Sequence, residues 1–267
     1  MPAAAYFVIS AVFHYLGPAF AVLLFARIDV LGVAWLRIVT AAVVLAAWRR
    51  PWRTRRRIDP QVIGLAAVLA AMNSVFYLAL ARLPLGTVAA IEFLPVIVLA
   101  AAAVRTRRNL AALALAVAGV YLVTDVRLVA EPLGLVFAAA NALLFAAYIV
   151  LGDRIAQADG VDALASSMLV AAVFALPLGA VQAVPALTDP LLLAAAAGVG
   201  VCSSVIPYVT DQLAMARLPR ATYALMVSIL PATATVIGVV VLAQIPSLTE
   251  IGGVVLVVSG VALHRRA

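Results

Sequence analysis

Long apolar runs separated by short polar stops set the layout of this chain. In the first half they predict helices at about Ala4–Phe25, Leu31–Trp48, Pro60–Leu80, Leu85–Val104 and Leu110–Val123. In the second half they predict helices at Pro132–Leu151, Ala163–Ala183, Pro190–Ala216, Thr222–Leu242 and Ile251–Leu263. The stops hold most of the arginines and turn formers: RRPWRTRRR at Arg49–Arg57, RTRRN after Val104, TDVRLVAEP after Val123 and GDRIAQADGVD after Leu151. Most runs approach the length at which a helix crosses ~30 Å of hydrocarbon. They are apolar throughout instead of alternating in and out, which argues against a transmembrane barrel.

One stretch occurs twice. Ala79–Pro95, ALARLPLGTVAAIEFLP, returns as Ala214–Pro231, AMARLPRATYALMVSILP. At an offset of 135, Ala79, Ala81, Arg82, Leu83, Pro84, Thr87 and Ala89 match Ala214, Ala216, Arg217, Leu218, Pro219, Thr222 and Ala224. Pro95 and Pro231 align after one inserted residue. A hairpin stated twice reads as an internal repeat, with halves at residues 1–124 and 132–267.

Composition fixes the solvent. Of 267 residues 67% are hydrophobic and 11% charged, and the mean hydropathy is +1.20. Soluble domains carry about a quarter charged residues. The fold class expected is an all-α membrane protein of ten transmembrane helices. The first run is too long for a signal-peptide core and lacks a basic start, so it is expected to remain as a span.

The net charge of +7 comes from arginine alone, with no lysine in the chain. With the N-terminus inside, Arg49, Arg50, Arg53, Arg55, Arg56, Arg57, Arg105, Arg107, Arg108, Arg154, Arg217, Arg220, Arg265 and Arg266 fall on the cytoplasmic side. Arg27, Arg82 and Arg127 fall outside, and Arg37 lies within a span. That asymmetry places both termini in the cytoplasm of a multi-pass plasma-membrane protein. The two ARLP turns then sit on opposite faces, five spans apart, so the halves are inverted. Inverted halves enclose a substrate site in secondary transporters, although duplication retained for packing would leave the same trace.

Several side chains are candidates for that site. Pro95 and Pro231 each fall about ten residues into a helix and free the carbonyls of Ile91 and Val227. Charges within spans cost ~3 kcal/mol at the bilayer centre, and Arg37, Glu92 and Asp211 are the clear cases. Arg37 and Glu92 both fall ~10 Å below the outer edge, a depth that permits an ion pair, a direct substrate role, or both. Asp211 lies near Arg217 and Arg220, which favours local pairing at the interface. His14 reads first as a core histidine and second as a proton carrier. Asn73, Ser74, Tyr77, Asn141, Tyr148, Ser203, Ser204 and Tyr208 supply neutral polar groups, and Pro207 frees the carbonyl of Ser203. Serines in membrane helices usually bond back to their own helix, so Asn73, Asn141 and Tyr208 carry more weight.

Absences prune the alternatives. Without lysine there is no G-x-x-x-x-G-K-[ST] phosphate loop, and neither H-E-x-x-H nor G-x-S-x-G occurs. Enzymatic activity, cofactors and a resident metal are not expected. The single Cys202 excludes an intrachain disulfide. No solvated basic surface with aromatics points to nucleic acid. The partners expected are the bilayer and a small-molecule substrate, with a homodimer left open.

At the level of motifs, the chain resembles the EamA branch of the drug/metabolite transporter superfamily, whose members have ten spans in two inverted halves. MNSVFYLALARLPLGTVAAIEF at Met72–Phe93, AAYIVLGDRIA at Ala146–Ala156 and IPYVTDQLAMARLP at Ile206–Pro219 look like bacterial inner-membrane threonine/homoserine exporters. The resemblance implies proton-driven export of small amino acids. It puts Asn73, Tyr77, Glu92, Tyr148, Tyr208 and Asp211 at family-typical positions, with Glu92 as the acid of L-G-x-x-x-A-x-E-F. Two features depart from the pattern. Ser228, Ile229, Leu230 and Pro231 stand where S-x-E-P is usual, and Ala243 and Gln244 stand where L-G-E ends. The first departure removes an intramembrane carboxylate, and a different, more apolar metabolite is the alternative substrate. The combined expectation is an exporter working by alternating access. In it Glu92 binds the substrate ammonium or a proton, Arg37 is its charge partner or the carboxylate anchor, and Glu92, His14 and Asp211 are the proton-coupling candidates. A non-transporting membrane scaffold is the third reading.

Overall fold

The computed structural model describes residues 3–54, 59–95, 107–125, 131–158, 160–218 and 230–263, and all regular structure among them is helical. In the first half these are α1 (Ala3–Leu24), α2 (Val30–Arg49), α3 (Pro60–Leu80), α4 (Leu85–Glu92) and α5 (Arg107–Asp125). In the second they are α6 (Pro132–Ala158), α7 (Gly160–Gly179), the short α8 (Val184–Thr188), α9 (Pro190–Gly200), α10 (Ile206–Met215), α11 (Leu230–Leu242) and α12 (Leu248–Leu263). A π-helical turn, Val201–Val205, joins α9 to α10. Among the described residues, six helical stretches are long and apolar enough to span a membrane: Ala5–Leu24, Val30–Arg49, Pro60–Leu80, Pro132–Gln157, Gly160–Gly179 and Pro190–Met215. This is a multi-pass, all-helical membrane protein. The later part of the fourth predicted span and the start of the ninth lie outside the described residues, as do Arg220, Val227 and Ser228.

Helix starts follow from local chemistry. Asp29, Asp59 and Asp189 each accept backbone N–H bonds at the first turns of α2, α3 and α9, with Pro60 and Pro190 opening the latter two. Two boundaries differ from the sequence reading. The polar GDRIAQADGVD segment is mostly helix, because Asp153–Ala158 contains no breaker and α6 runs through it. The reversal is made instead at Gly160, whose φ of +47° suits a residue without a side chain. The predicted Ala163–Ala183 helix stops at Gly179, and α8 forms inside what was read as loop.

The two ARLP turns close alike. Arg82 and Leu83 donate backbone N–H bonds to Ala79 O at 3.0 and 2.8 Å; Arg217 and Leu218 donate to Ala214 O at the same distances. Each arginine also returns a guanidinium N–H to its own helix, Arg82 to Leu78 O and Arg217 to Leu213 O. Each lies over an aromatic ring at the start of a helix from the other half: Arg82 over Phe137 of α6, Arg217 over Tyr6 of α1. Packing is reciprocal in the same way. α3 packs on α6 and α10 on α1, while α2 faces α7, α4 faces α11 and α5 faces α12.

Close approaches hold the centre together. A Cβ on Gly17 of α1 would stand 2.5 Å from both Cβ and N of Ser203. Gly17→Ala is therefore expected to force α1 off the π turn and destabilise the protein by about 1–3 kcal/mol, read as a lower Tm in detergent. Ala243, after α11, has a φ of +51°, where a Cβ costs about 1–2 kcal/mol. Ala243→Gly is expected to raise Tm slightly, the relieved strain exceeding the entropy that glycine adds to the unfolded chain.

Candidate functional site

Glu92 is the last residue of α4, where the helix breaks: the Phe93 N–H turns back to Ile91 O, and Pro95 follows. Its side chain is 2% exposed. Tyr15 of α1 donates its hydroxyl to Oε2 at 2.9 Å, and Asn141 of α6 donates Nδ2–H to Oε1 at 2.8 Å. Three helices thus converge on one carboxylate. Hydrogen bonds to an ionised group are stronger than neutral ones, and here they replace water that the bilayer interior does not supply. Asn141 Oδ1 is buried and lacks a partner among the described residues.

Arg37, 3% exposed on α2, faces the same space. Pro207 has no N–H to offer the carbonyl four residues earlier, and Arg37 takes that carbonyl: its Nη2 donates to Ser203 O at 2.7 Å and its Nε to Ser204 Oγ at 2.8 Å. The guanidinium lies 5.0 Å from the centre of the Tyr77 ring, within cation–π range. Nη1 is buried without a partner among the described residues. The direct Arg37–Glu92 ion pair that equal depth permitted does not form, since no contact within 4 Å joins them. The π turn has drawn Arg37 to its own backbone, and both charges keep capacity for a third party.

A narrow cavity lies between them, lined by His14, Arg37, Met72, Asn73, Phe76, Glu92, Asn141 and Tyr208. In this conformation it has room for about one water. Tyr208 donates its hydroxyl to Asn73 Oδ1 at 3.2 Å, and Asn73 Nδ2 returns to Leu69 O. His14 packs edge-on against Tyr15 and Phe145. Ser74 and Ser203 bond back to their own helices, as serines in such helices tend to.

Other sequence candidates stand just off this cavity. Tyr77 is fully buried behind Arg37, and its hydroxyl has no partner among the described residues. Tyr148 packs against Tyr208 with the rings tilted and their centres 5.4 Å apart, and it donates its hydroxyl to Asp211 at 3.1 Å. Asp211 is not the interfacial partner of Arg217 that proximity suggested. It is 2% exposed and also accepts from Ser10, while Arg217 is engaged with Leu213 and Tyr6. Pro231 lies within α11, close to residues outside those described, so its place along the predicted ninth span is not defined by them. Tyr15, Ser10 and Gln212 were not singled out from sequence. Ser10 and His14, spaced i and i+4, share one face of α1.

A larger cavity of about 160 Å³ separates the start of α4 from α11 and α12, lined by Thr87, Thr235, Gln244 and Glu250 among others. Its carboxylate serves a capping box: Ser247 N–H donates to Glu250 Oε2 and Glu250 N–H to Ser247 Oγ. Gln244 Oε1 caps α4 by accepting from Leu85 N–H. Gln244 and Glu250 thus serve helix ends.

The sequence profile of the EamA-like transporter family matches residues 132–265. Threonine/homoserine exporter RhtA of Salmonella typhimurium (strain SL1344) is 32% identical over 236 residues, 85% of this chain and 79% of the relative. The protein of the same name from Escherichia coli K12 is 30% identical over 236 residues with the same coverage. The chain belongs to the EamA-like transporter family. A crystal structure of a protein 20% identical to it superimposes over the whole of both chains with a TM-score of 0.69, a likeness of fold alone. Glu92 and Arg37 are thus two buried charges facing one cavity, and charge inside a membrane protein is costly unless compensated.

Proposed function

We propose that this transporter exports small zwitterionic amino acids of the threonine and homoserine kind across the inner membrane. The observation carrying the proposal is that Glu92 and Arg37 face one cavity without pairing. The substrate ammonium bonds Glu92 and Asn141 Oδ1; its carboxylate bonds Arg37 Nη1; Met72 and Phe76 cover the side chain. Both RhtA relatives are named for such substrates, which supports the choice. A cavity with room for about one water requires that the halves separate to admit a ligand.

Alternating access is proposed to come from rocking of residues 1–124 against 132–267 as inverted halves of five spans each. The matched ARLP turns and the reciprocal packing of α3 on α6 and α10 on α1 support that reading. So does the contact between Tyr208 and Asn73, which are separated by the repeat offset and meet at the seam. The arginine asymmetry of the loops supports cytoplasmic termini. Export is driven by the proton gradient, a proton from outside displacing the ammonium from Glu92. Counterflow in proteoliposomes tests the proposal: preloaded L-threonine should accelerate uptake of labelled L-threonine. Uptake at the rate of empty liposomes would reject it.

A further inference from the structure

A second polar cluster lies between α1, α6 and α10. Relative to the Glu92 cavity it is displaced toward the Arg217 end: Ser10 precedes Tyr15, Tyr148 follows Asn141 and Asp211 follows Tyr208. Asp211 accepts hydrogen bonds from Ser10 Oγ and Tyr148 Oη. The kit is the one around Glu92, a buried carboxylate with one tyrosine hydroxyl and one small neutral donor from another helix. Beside it Gln212 is 1% exposed, and neither Oε1 nor Nε2 has a partner among the described residues. Its amide faces α6, since a Cβ on Gly152 would stand 3.3 Å from Nε2. Gly152 is one turn past Tyr148, so Asp211 and Gln212 address successive turns of the same helix. An amide buried without partners is costly, and packing alone does not explain it.

We propose that Asp211 and Gln212 form a second binding position for the transported amino acid, on the cytoplasmic side of the Tyr148–Tyr208 layer and closed in this structure. The inference rests on the reading of the Glu92 cavity given above. A substrate entering from the cytoplasm places its ammonium on Asp211, displacing Ser10 and Tyr148, and its carboxylate on Gln212 Nε2. As the halves rock, the ammonium passes to Glu92, and Ser10 and Tyr148 return to Asp211. Whichever carboxylate is empty keeps its protein donors, so neither position becomes a trap. Transport needs binding that is favourable on arrival and reversible on departure.

The test measures half-saturating L-threonine separately on each face, using inside-out and right-side-out membrane vesicles. Asp211→Asn is expected to raise the cytoplasmic value at least tenfold and Gln212→Ala about fivefold, with the opposite face held within twofold. Ser10→Ala, which removes a competing donor but leaves the carboxylate, is expected to lower the cytoplasmic value. Gln212→Ala keeps both bonds to Asp211, so it still reports if Asp211→Asn fails to fold. Equal effects on both faces, or a Ser10→Ala variant that behaves like Asp211→Asn, would make Asp211 a brace and overturn the inference alone. Wild type without threonine transport from either face would overturn the proposed function and this inference together.

Discussion

Glu92→Gln is expected to abolish threonine exchange, lowering it roughly 100-fold or more, while the protein still folds. Removing one member of a buried, hydrogen-bonded charge contact costs about 2–5 kcal/mol, and each 1.4 kcal/mol is a factor of ten. Glutamine keeps the shape of the side chain and can still accept from Tyr15 or Asn141, so the tie between α1, α4 and α6 survives. What is lost is the charge that meets the substrate ammonium. Tm should stay within a few degrees of wild type, or rise, because a charge has left an apolar interior. Exchange by the variant at the wild-type rate would remove Glu92 from the site.

Arg37→Met is expected to fail in two ways at once. The Ser203 carbonyl, already deprived of its helical partner by Pro207, would lose the N–H that replaces it, and Ser204 Oγ would lose a donor. Orphaned buried groups cost about 1–3 kcal/mol each, so a Tm drop of several degrees should accompany loss of threonine binding. Arg37→Lys separates the two roles. A single ammonium cannot reproduce a fork that holds Ser203 and Ser204 and still presents a free N–H. The charge would remain, stability should recover in part, and threonine binding should not. Full recovery of binding by lysine would mean that the site needs a positive charge but not the fork.

The residues that were legible in the sequence are those whose effect is local. Pro207 could be seen to strip Ser203 of its hydrogen bond. The carbonyl's taker was not legible, because Arg37 reaches it across 166 positions of chain and nothing in the spacing of either segment refers to the other. The same limit governed the charges. Depth along a helix put Arg37 and Glu92 at one level, but rotation about each helix decides whether they touch, and the π turn sets that for Arg37. Asp211 was read as interfacial from its nearness to Arg217 and Arg220; it makes no ion pair with Arg217, and Arg220 lies outside the described residues. Rotation of Asp211 toward Ser10 and Tyr148 buries it instead. Tyr15 was hidden by the apolar run around it, although it makes one of the two bonds to Glu92.

The repeat was the most informative feature in the sequence. An offset of 135 fixed from a handful of identities also relates the hydrogen bonds of the two turns and pairs Asn73 with Tyr208. Hydropathy alone does not contain that information, since it would place apolar helices with any connectivity or handedness.

Isothermal titration with three ligands tests the opposed-charge site most directly: L-threonine, its methyl ester, which lacks the carboxylate, and 2,3-dihydroxybutyrate, which keeps the carboxylate and replaces the ammonium with a hydroxyl. Wild type should bind each analogue at least tenfold more weakly than L-threonine. Arg37→Lys should stop discriminating against the ester and Glu92→Gln against the hydroxy acid. Equal affinity for all three ligands in wild type would show that Glu92 and Arg37 do not hold a zwitterion between them.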